Sequence, residues 1–321
     1  MKTSPKVIII VLNFNNCMDT IECIDSLEKI NYPNYEIVLV DNGSKDNSVE
    51  LFKAKYSSNS KIRLLININN LGFTGGNNLA IRHLMGGMAG PPVQWTGRVC
   101  PWENVDYFLL LNNDTVVNPD FLTQLVNVAE ADDKIGIVGP KIYKLYPELV
   151  SGSQTLFCAG TKTIPFLGQP FLRGNGKKDI GRYNNVEAVD YISGTALMIK
   201  KEVIEQIGLL DERFFAYFED WDWCIRAQKQ GFKCVYVPDA VIWHKGSSTI
   251  GFKSPSYYYY MTLSRILFAR KHLGRFEFLF LFLPYFITYR LLLPILMLLL
   301  KGDIKSIMAI IKGMRNVPKP A

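Results

Sequence analysis

From residue 7 to residue 131, stretches that are apolar at nearly every position alternate with stretches whose apolar residues recur every three or four positions. The first kind, at 7–12, 37–40, 62–66 and 107–111, is rich in Val, Ile and Leu and predicts strands buried on both faces. The second kind, at 18–30, 48–55, 77–84 and 121–131, predicts helices. Strands of that type spaced by helices imply an α/β fold, a Rossmann-like and mostly parallel sheet flanked by helices.

Residues 85–104 break this rhythm with Gly86-Gly87, Gly90-Pro91-Pro92 and two Trp, and predict a surface insertion. The segment 151–185, rich in Gly, Lys and Arg and without periodicity, predicts a mobile loop region over a site. Regular structure resumes at 191–200, in a helix around 220–230, and in strands near Val235 and Val241.

Beyond Tyr257 the pattern becomes helical and then almost wholly apolar at 278–300, which carries one charge, Arg290, and two prolines. That length permits a membrane span. Basic residues flank it on both sides, Arg270, Lys271 and Arg275 before it and Lys301, Lys305, Lys312, Arg315 and Lys319 after, against the positive-inside tendency for a single crossing. A re-entrant hairpin kinked at Pro284 and Pro294 is the expectation. Ile304, Ile307, Met308 and Ile311 then mark an interfacial helix, so membrane contact is expected through 275–315. A helical pair packed on the α/β domain or on a partner is the plainer alternative. The division expected is 1–255 for the α/β domain, its halves meeting near 115, and 256–321 for the C-terminal helices.

At 321 residues and 48% hydrophobic, the chain can bury a full core, and disordered or fibrous classes are excluded. The net charge of +7 favours an acidic partner without choosing between nucleic acid, a nucleotide diphosphate and a membrane surface. Six cysteines are scattered, with no zinc-like spacing, which fits a reducing, cytosolic setting. The six apolar residues 7–12 are too few for a signal peptide and read as a first strand.

Candidate chemistry gathers at strand ends, where open α/β sheets bind ligands. The first strand ends in Asn13-Phe14-Asn15-Asn16, the second in Asp41-Asn42-Gly43, whose acid can bond a base or ribose; ordinary turn and cap chemistry would explain either alone. The Gly-rich loop Asn69 to Asn78 leads into a helix and offers backbone N–H groups to an anion, yet matches neither a dinucleotide fingerprint nor a P-loop. After the strand at 107–111 comes Asn112-Asn113-Asp114, where residues 112 and 114 face one side and the carboxylate can take a hard divalent cation. Glu219, Asp220 and Asp222 lie among six aromatics; mutual repulsion and desolvation would raise at least one pKa and improve a proton acceptor. The same residues would also suit a helix N-terminus. His244 closes a strand, while His83 and His272 read as ordinary structural histidines.

Taken together, the stretches at 7–16, 36–48, 69–78, 106–117 and 191–249 resemble, in order, the family 2 inverting glycosyltransferases of the GT-A fold, particularly their rhamnosyltransferase-like branch. The resemblance covers about residues 6 to 250. It implies that Asn13, Asn15, Asp41, Asn70, Gly72, Gly76, Asn77, Asn112 and Asn113 hold the nucleotide. Asp114 matches the last Asp of the family's D-x-D motif and would bind Mg or Mn, with Asn112 replacing the first Asp; His244 could complete the shell. Asp220 matches the catalytic base, with Glu219 as fallback. Ser193, Gly194, Thr195 and Asp222 would line the sugar pocket.

The resemblance further implies a nucleotide-sugar donor, dTDP-rhamnose or a UDP-sugar, and a glycan or lipid-linked acceptor. It implies work at the cytoplasmic face of the membrane as a peripheral or monotopic protein, with no nucleic acid partner and a homo-oligomer left open. The Q-x-x-R-W motif of processive synthases is absent, so one sugar per encounter is expected. Two other classes compete. A sugar nucleotidyltransferase would carry a basic residue in a Gly-rich loop after strand one, which 13–16 lacks, and an inactive nucleotide-sugar-binding scaffold would have no need of the Glu219-Asp220 pair.

Overall fold

The computed structural model describes residues 4–86, 94–95, 101–145, 154–246, 251 and 253–318. Five consecutive β-branched residues, Val7 to Val11, leave no polar face on β1 (Val7–Asn13), so it lies mid-sheet with both sides covered. β2 (Tyr35–Asn42) and β5 (Tyr107–Asn112) pair parallel to it on either side, and β3 (Ile62–Asn67) extends the parallel set beyond β2. The crossovers run through α1 (Cys17–Leu27), α2 (Ser48–Tyr56) and α3 (Gly72–Leu84). Within 85–104 the described residues include β4 (Gln94–Trp95), antiparallel on the edge of β3; the rest of that insertion lies largely outside them.

The second half comprises β6 (Thr115–Val117), α4 (Phe121–Ala129), β7 (Ile135–Lys144), β8 (Leu156–Cys158), β11 (Glu187–Ala188), β12 (Ala196–Lys200), α5 (Lys201–Ile207), α6 (Glu219–Lys229) and β13 (Lys233–His244). Strand order is β11-β13-β7-β12-β5-β1-β2-β3-β4, with β6 on β13 and β8 on β7. β12 runs antiparallel to both β5 and β7, so the sheet is mixed, with the parallel ladders β5-β1-β2-β3 and β7-β13 joined through it. A parallel return needs a crossover helix, and the described part of 145–195 has none. Nor is 154–185 simply loop: β9 (Thr161–Ile164) and β10 (Gln169–Leu172) form a hairpin there, while 146–153 lie outside the described residues.

Alternation along β1 divides the core into two layers. Val7, Ile9 and Val11 face α1, α2 and α4, whereas Ile8 and Ile10 face α3, α5 and α6. α7 (Pro255–His272) joins the second layer through Leu267 and Phe268, and Phe268 stacks on Trp221 at 4.1 Å between ring centroids. An ionic cluster fixes the same contact. Asp222, fully buried on α6, meets Arg226 at 2.9 Å, Lys271 at 2.7 Å and His272 Nε2 at 2.7 Å.

Residues 277–300 form one helix, α8 (Glu277–Leu300), and not the hairpin expected from its prolines. Wide π-helical turns at Glu277–Phe282 and Phe286–Leu292 precede the turns that contain Pro284 and Pro294; such turns absorb the missing N–H and the ring clash without breaking the rod. Only Phe282, Phe286 and Leu298 of α8 are buried. α9 (Ile304–Arg315) returns along α7, crossing so closely at Gly313 that a Cβ there would meet the Tyr259 carbonyl at 2.6 Å. It buries Ile307 and Ile310 and leaves Ile304, Met308, Ile311 and Met314 exposed.

Removing one partner from a buried ionic cluster leaves uncompensated charge behind. Asp222→Ala is therefore expected to cost about 3–5 kcal/mol, read as a lower urea midpoint at unchanged slope.

Candidate active site

Strands β1, β2 and β5 end side by side, and the residues that follow them form the floor of a cavity of about 420 Å³. Part of that floor is internal bracing. Asn13 is fully buried: its amide donates to Asp41 Oδ2 at 2.9 Å and Ser44 Oγ at 3.0 Å, and its oxygen accepts from Thr20 Oγ1 at 2.8 Å. Asp41 also takes the Ser44 N–H, so both its oxygens are engaged behind the cavity wall. Asn15 is exposed and accepts from the Lys45 N–H at 2.7 Å. None of these three lines the cavity.

Asn42 does line it, a residue passed over in the sequence because its neighbour Asp41 is the more obviously reactive type. The Asn42 amide donates to Asn70 Oδ1 at 3.1 Å and to the Gly72 carbonyl at 3.0 Å, and its oxygen accepts from the Leu71 N–H. It thereby sets the Gly-rich loop against the strand ends. Gly72 has φ +73° and lies where a Cβ would meet the Phe215 carbonyl at 2.4 Å; Asn70 and Gly72 both reach the cavity. Gly76 and Asn77 do not. A Cβ on Gly76 would strike Leu12, and Asn77 is buried, bonding to the Phe73 carbonyl within α3. Their part is helix packing, because α3 already begins at Gly72.

Past β5, Asn112, Asn113 and Asp114 all line the cavity. Antiparallel pairing of β6 with β13 sets Thr115 opposite His244 and brings His244 Nε2 to 3.0 Å from Asp114 Oδ1. The approach angle makes no hydrogen bond from the ring, and His244 Nδ1 is likewise buried without a hydrogen-bond partner among the described residues. The next residue, Lys245, pins this strand end to α1 through Asp19 and Glu22, each at 2.5 Å. A buried carboxylate beside a buried imidazole with no hydrogen bond of its own is a donor set that suits a divalent cation. The described residues hold no cluster of three or more His, Cys, Asp or Glu ligands, so water or a substrate oxygen would have to fill the remaining positions.

The opposite wall is built at the start of α6. Tyr217 and Phe218 have φ of +68° and +72°, consecutive left-handed residues without a glycine, a strained entry that aims the first helical turn inward. Asp220 Oδ2 accepts the Gly194 N–H at 2.8 Å and Oδ1 the Trp221 N–H at 2.8 Å. Ser193, Gly194 and Thr195 line the cavity beside it, and the Thr195 carbonyl accepts the Asn112 N–H at 2.9 Å, which ties the two walls together. Glu219 is buried, and its Oε2 has no hydrogen-bond partner among the described residues.

Burial pushes both carboxyls up. Glu219 rises well above the usual range through desolvation and then the nearby Asp220 charge, while in Asp220 the backbone N–H donors oppose the desolvation. Glu219 Oε2 has no donor to set against that burial among the described residues, so Asp220, with two backbone N–H groups, is the member of the pair whose charge the site supports. Asp222, expected in the sugar pocket, is corrected: two residues after Asp220 it lies about 200° round the helix, in the ionic cluster with α7.

The chain belongs to glycosyltransferase family 2: the family model described as "Glycosyltransferase like family 2" matches residues 5–256. It is a glycosyltransferase with the GT-A fold. Among its relatives, the N-acetylglucosaminyl-diphospho-decaprenol L-rhamnosyltransferase of Mycobacterium tuberculosis is 32% identical over 222 residues, 66% of this chain and 67% of that one. A low-salt glycan biosynthesis hexosyltransferase of Haloferax volcanii is 29% identical over 195 residues, 61% of this chain and 54% of that one. Among solved structures, a mannosyltransferase from Pyrobaculum calidifontis in complex with GDP-Man and Mn2+ aligns with TM-score 0.56 at 14% identity, over 98% of this chain and 75% of the other.

An acid whose folded pKa lies above its ordinary value loses stability as pH rises from that ordinary value, 4.5 for Glu219, through the folded one. Glu219→Gln removes this loss. Its melting temperature should exceed the parent's at pH 7.5, and the gap should close toward pH 4.5, in a pH series of thermal melts.

Proposed function

We propose that the enzyme inverts configuration at the transferred sugar, uses a divalent cation, and moves a sugar from a nucleoside-diphosphate sugar to a saccharide carried on a lipid at the cytoplasmic membrane face. The observation that carries the proposal is the shared cavity of Asp220, whose carboxylate is held by two backbone N–H groups, and the Asp114–His244 pair. A base and an anion-neutralising pole in one cavity are the two parts a direct displacement requires.

In this reading Asp220 accepts the proton of the acceptor hydroxyl as its oxygen bonds to the anomeric carbon. The bond from that carbon to the diphosphate breaks on the other face, its electron pair leaving with the diphosphate, and the configuration inverts. Asp114 and His244 would hold the cation, which when bound supplies positive charge to the departing diphosphate. Asn42, Asn70, Asn112 and Asn113 would position the donor, with Asn13 and Asp41 bracing them from behind. Ser193, Gly194 and Thr195 would place the reacting sugars near Asp220. The name of the mycobacterial relative supports dTDP-rhamnose as the first donor to test, with UDP-sugars next.

The apolar, exposed side of α8, with Leu296, Met297 and Leu300 among its residues, supports membrane association, as does the lipid-linked substrate in that relative's name. Exposed residues of α9 continue the apolar surface, and Lys301, Lys305, Lys312 and Arg315 stand near it in sequence to meet anionic headgroups. We place α8 along the monolayer rather than across it.

Four outcomes are expected. In thermal melts, dTDP or UDP should stabilise the protein in the presence of Mn2+ or Mg2+, and Asp114→Ala should abolish the cation-dependent part; a shift indifferent to cation would overturn the cation assignment. Asp220→Asn should keep nucleotide binding while kcat falls about 100- to 10,000-fold. In the parent, kcat/KM should be lost as pH falls through a value above the ordinary 3.8 of an aspartate, since the base must be unprotonated. Flotation with anionic vesicles should carry the protein upward, and Leu296→Glu with Leu300→Glu should leave it at the bottom.

A further inference from the structure

Two arginines of the C-terminal helices carry charge that no carboxylate among the described residues neutralises. Arg265, on α7, is 5% exposed, and among the described residues it has no ion pair. Its one hydrogen bond there runs from Nη1 to the Gly168 carbonyl, and its guanidinium lies 5.1 Å from the centroid of the Phe218 ring. Arg290, on α8, is half-buried and also without an ion pair among the described residues; its Nε and Nη2 donate to Tyr285 Oη at 3.1 and 2.8 Å. Burial, and after it repulsion from Arg290, pulls the Arg265 pKa down to about 10. Other buried charges are answered in kind, Lys141 by Asp179 and Asp222 by Arg226. A buried cation left without an anion is costly, and in folded proteins that arrangement points to a ligand.

The position of the pair narrows the choice. Arg265 is bonded to Gly168, and Arg290 reaches Gln169 through Tyr285, whose hydroxyl donates to Gln169 Oε1 at 3.0 Å. Both residues belong to the β9–β10 hairpin, whose Pro170 and Leu172 line the catalytic cavity; Met261, one turn before Arg265, lines it too, as does Phe218. On the other side α8 leads away as an apolar, exposed helix. Phe282 of α8 closes against the turn, 3.1 Å from where a Gly168 Cβ would stand. Neither arginine lines the cavity itself; the two guanidinium groups stand behind its hairpin wall, between the cavity and the hydrocarbon surface of α8.

We propose that Arg265 and Arg290 bind the phosphate or diphosphate that joins the acceptor sugar to its lipid carrier. The proposal rests on the lipid-linked acceptor of the preceding section and gives that acceptor a headgroup site. Guanidinium is the side chain suited to phosphate oxygens, since its planar N–H groups pair with two of them at once. The order of the three surfaces matches the order of groups in such an amphiphile.

Calorimetry on the full chain in detergent tests this with farnesyl diphosphate, farnesol and inorganic pyrophosphate. Farnesyl diphosphate should bind at least tenfold more tightly than farnesol or pyrophosphate. Arg290→Gln should remove most of that preference while leaving nucleoside-diphosphate affinity unchanged. Arg265→Lys, which keeps the charge and serves if Arg265→Gln does not fold, should weaken farnesyl diphosphate binding severalfold. Equal affinity for farnesol overturns the headgroup site, and pyrophosphate binding as tight as the lipid's overturns the lipid source. An Arg290→Gln variant that loses nucleoside diphosphate equally assigns the arginines to the donor and overturns the proposal. Failure of the parent to bind any nucleoside diphosphate would instead count against the transferase mechanism, with the farnesyl series still read on its own.

Discussion

A carboxylate that must carry charge inside a protein needs donors that cannot drift away, and Asp220 takes its two from the main chain. The Gly194 N–H comes from the turn that enters β12, and the Trp221 N–H from the first turn of α6. Both segments are fixed by large apolar contacts: β12 lies between β5 and β7, and Trp221 is held between Tyr191 and Phe268. The antiparallel insertion of β12, the aromatic packing of α6 and the docking of α7 thus converge on one carboxyl group. The ionic cluster around Asp222 serves the same end from the far side of α6, since it holds the helix whose first turn presents Asp220.

The opposite pole is fixed differently. Asp114 and His244 are distant in sequence and meet only because β6 pairs with β13. Lys245 then ties that strand end to α1, which also carries Thr20, the residue that bonds Asn13 and, through Asn113, touches the floor beside Asp114. A bonded path of short side chains therefore runs under the cavity floor, and this explains why several polar residues at the strand ends are buried rather than open.

Much of this was legible from the chain. The parallel strands follow from runs with no polar face, and the site follows from what such strands end in. What escaped has identifiable causes. The run 135–144 is β7, but Gly139 and Pro140 in its middle interrupt the apolar pattern that marks the other strands, and the sequence leaves it unassigned. β12 falls in the regular structure expected at 191–200, but its direction is not visible there, because direction is set by the path before it. Asp222 was grouped with its neighbours by proximity, although helical geometry turns it away from them. The hairpin expected at 278–300 failed for a related reason: two prolines predict a break only when the backbone has no wider turn to adopt.

The sheet is hydrogen-bonded without interruption from β11 to β4, through the junction of the two halves at β5 and β12. No hinge can operate across such a ladder without breaking it. The two walls of the cavity are therefore parts of one stiff plate, and the jaw-like closure of two lobes that move apart is not open to this fold. Any closure over the cavity has to come from the segments that rim the plate.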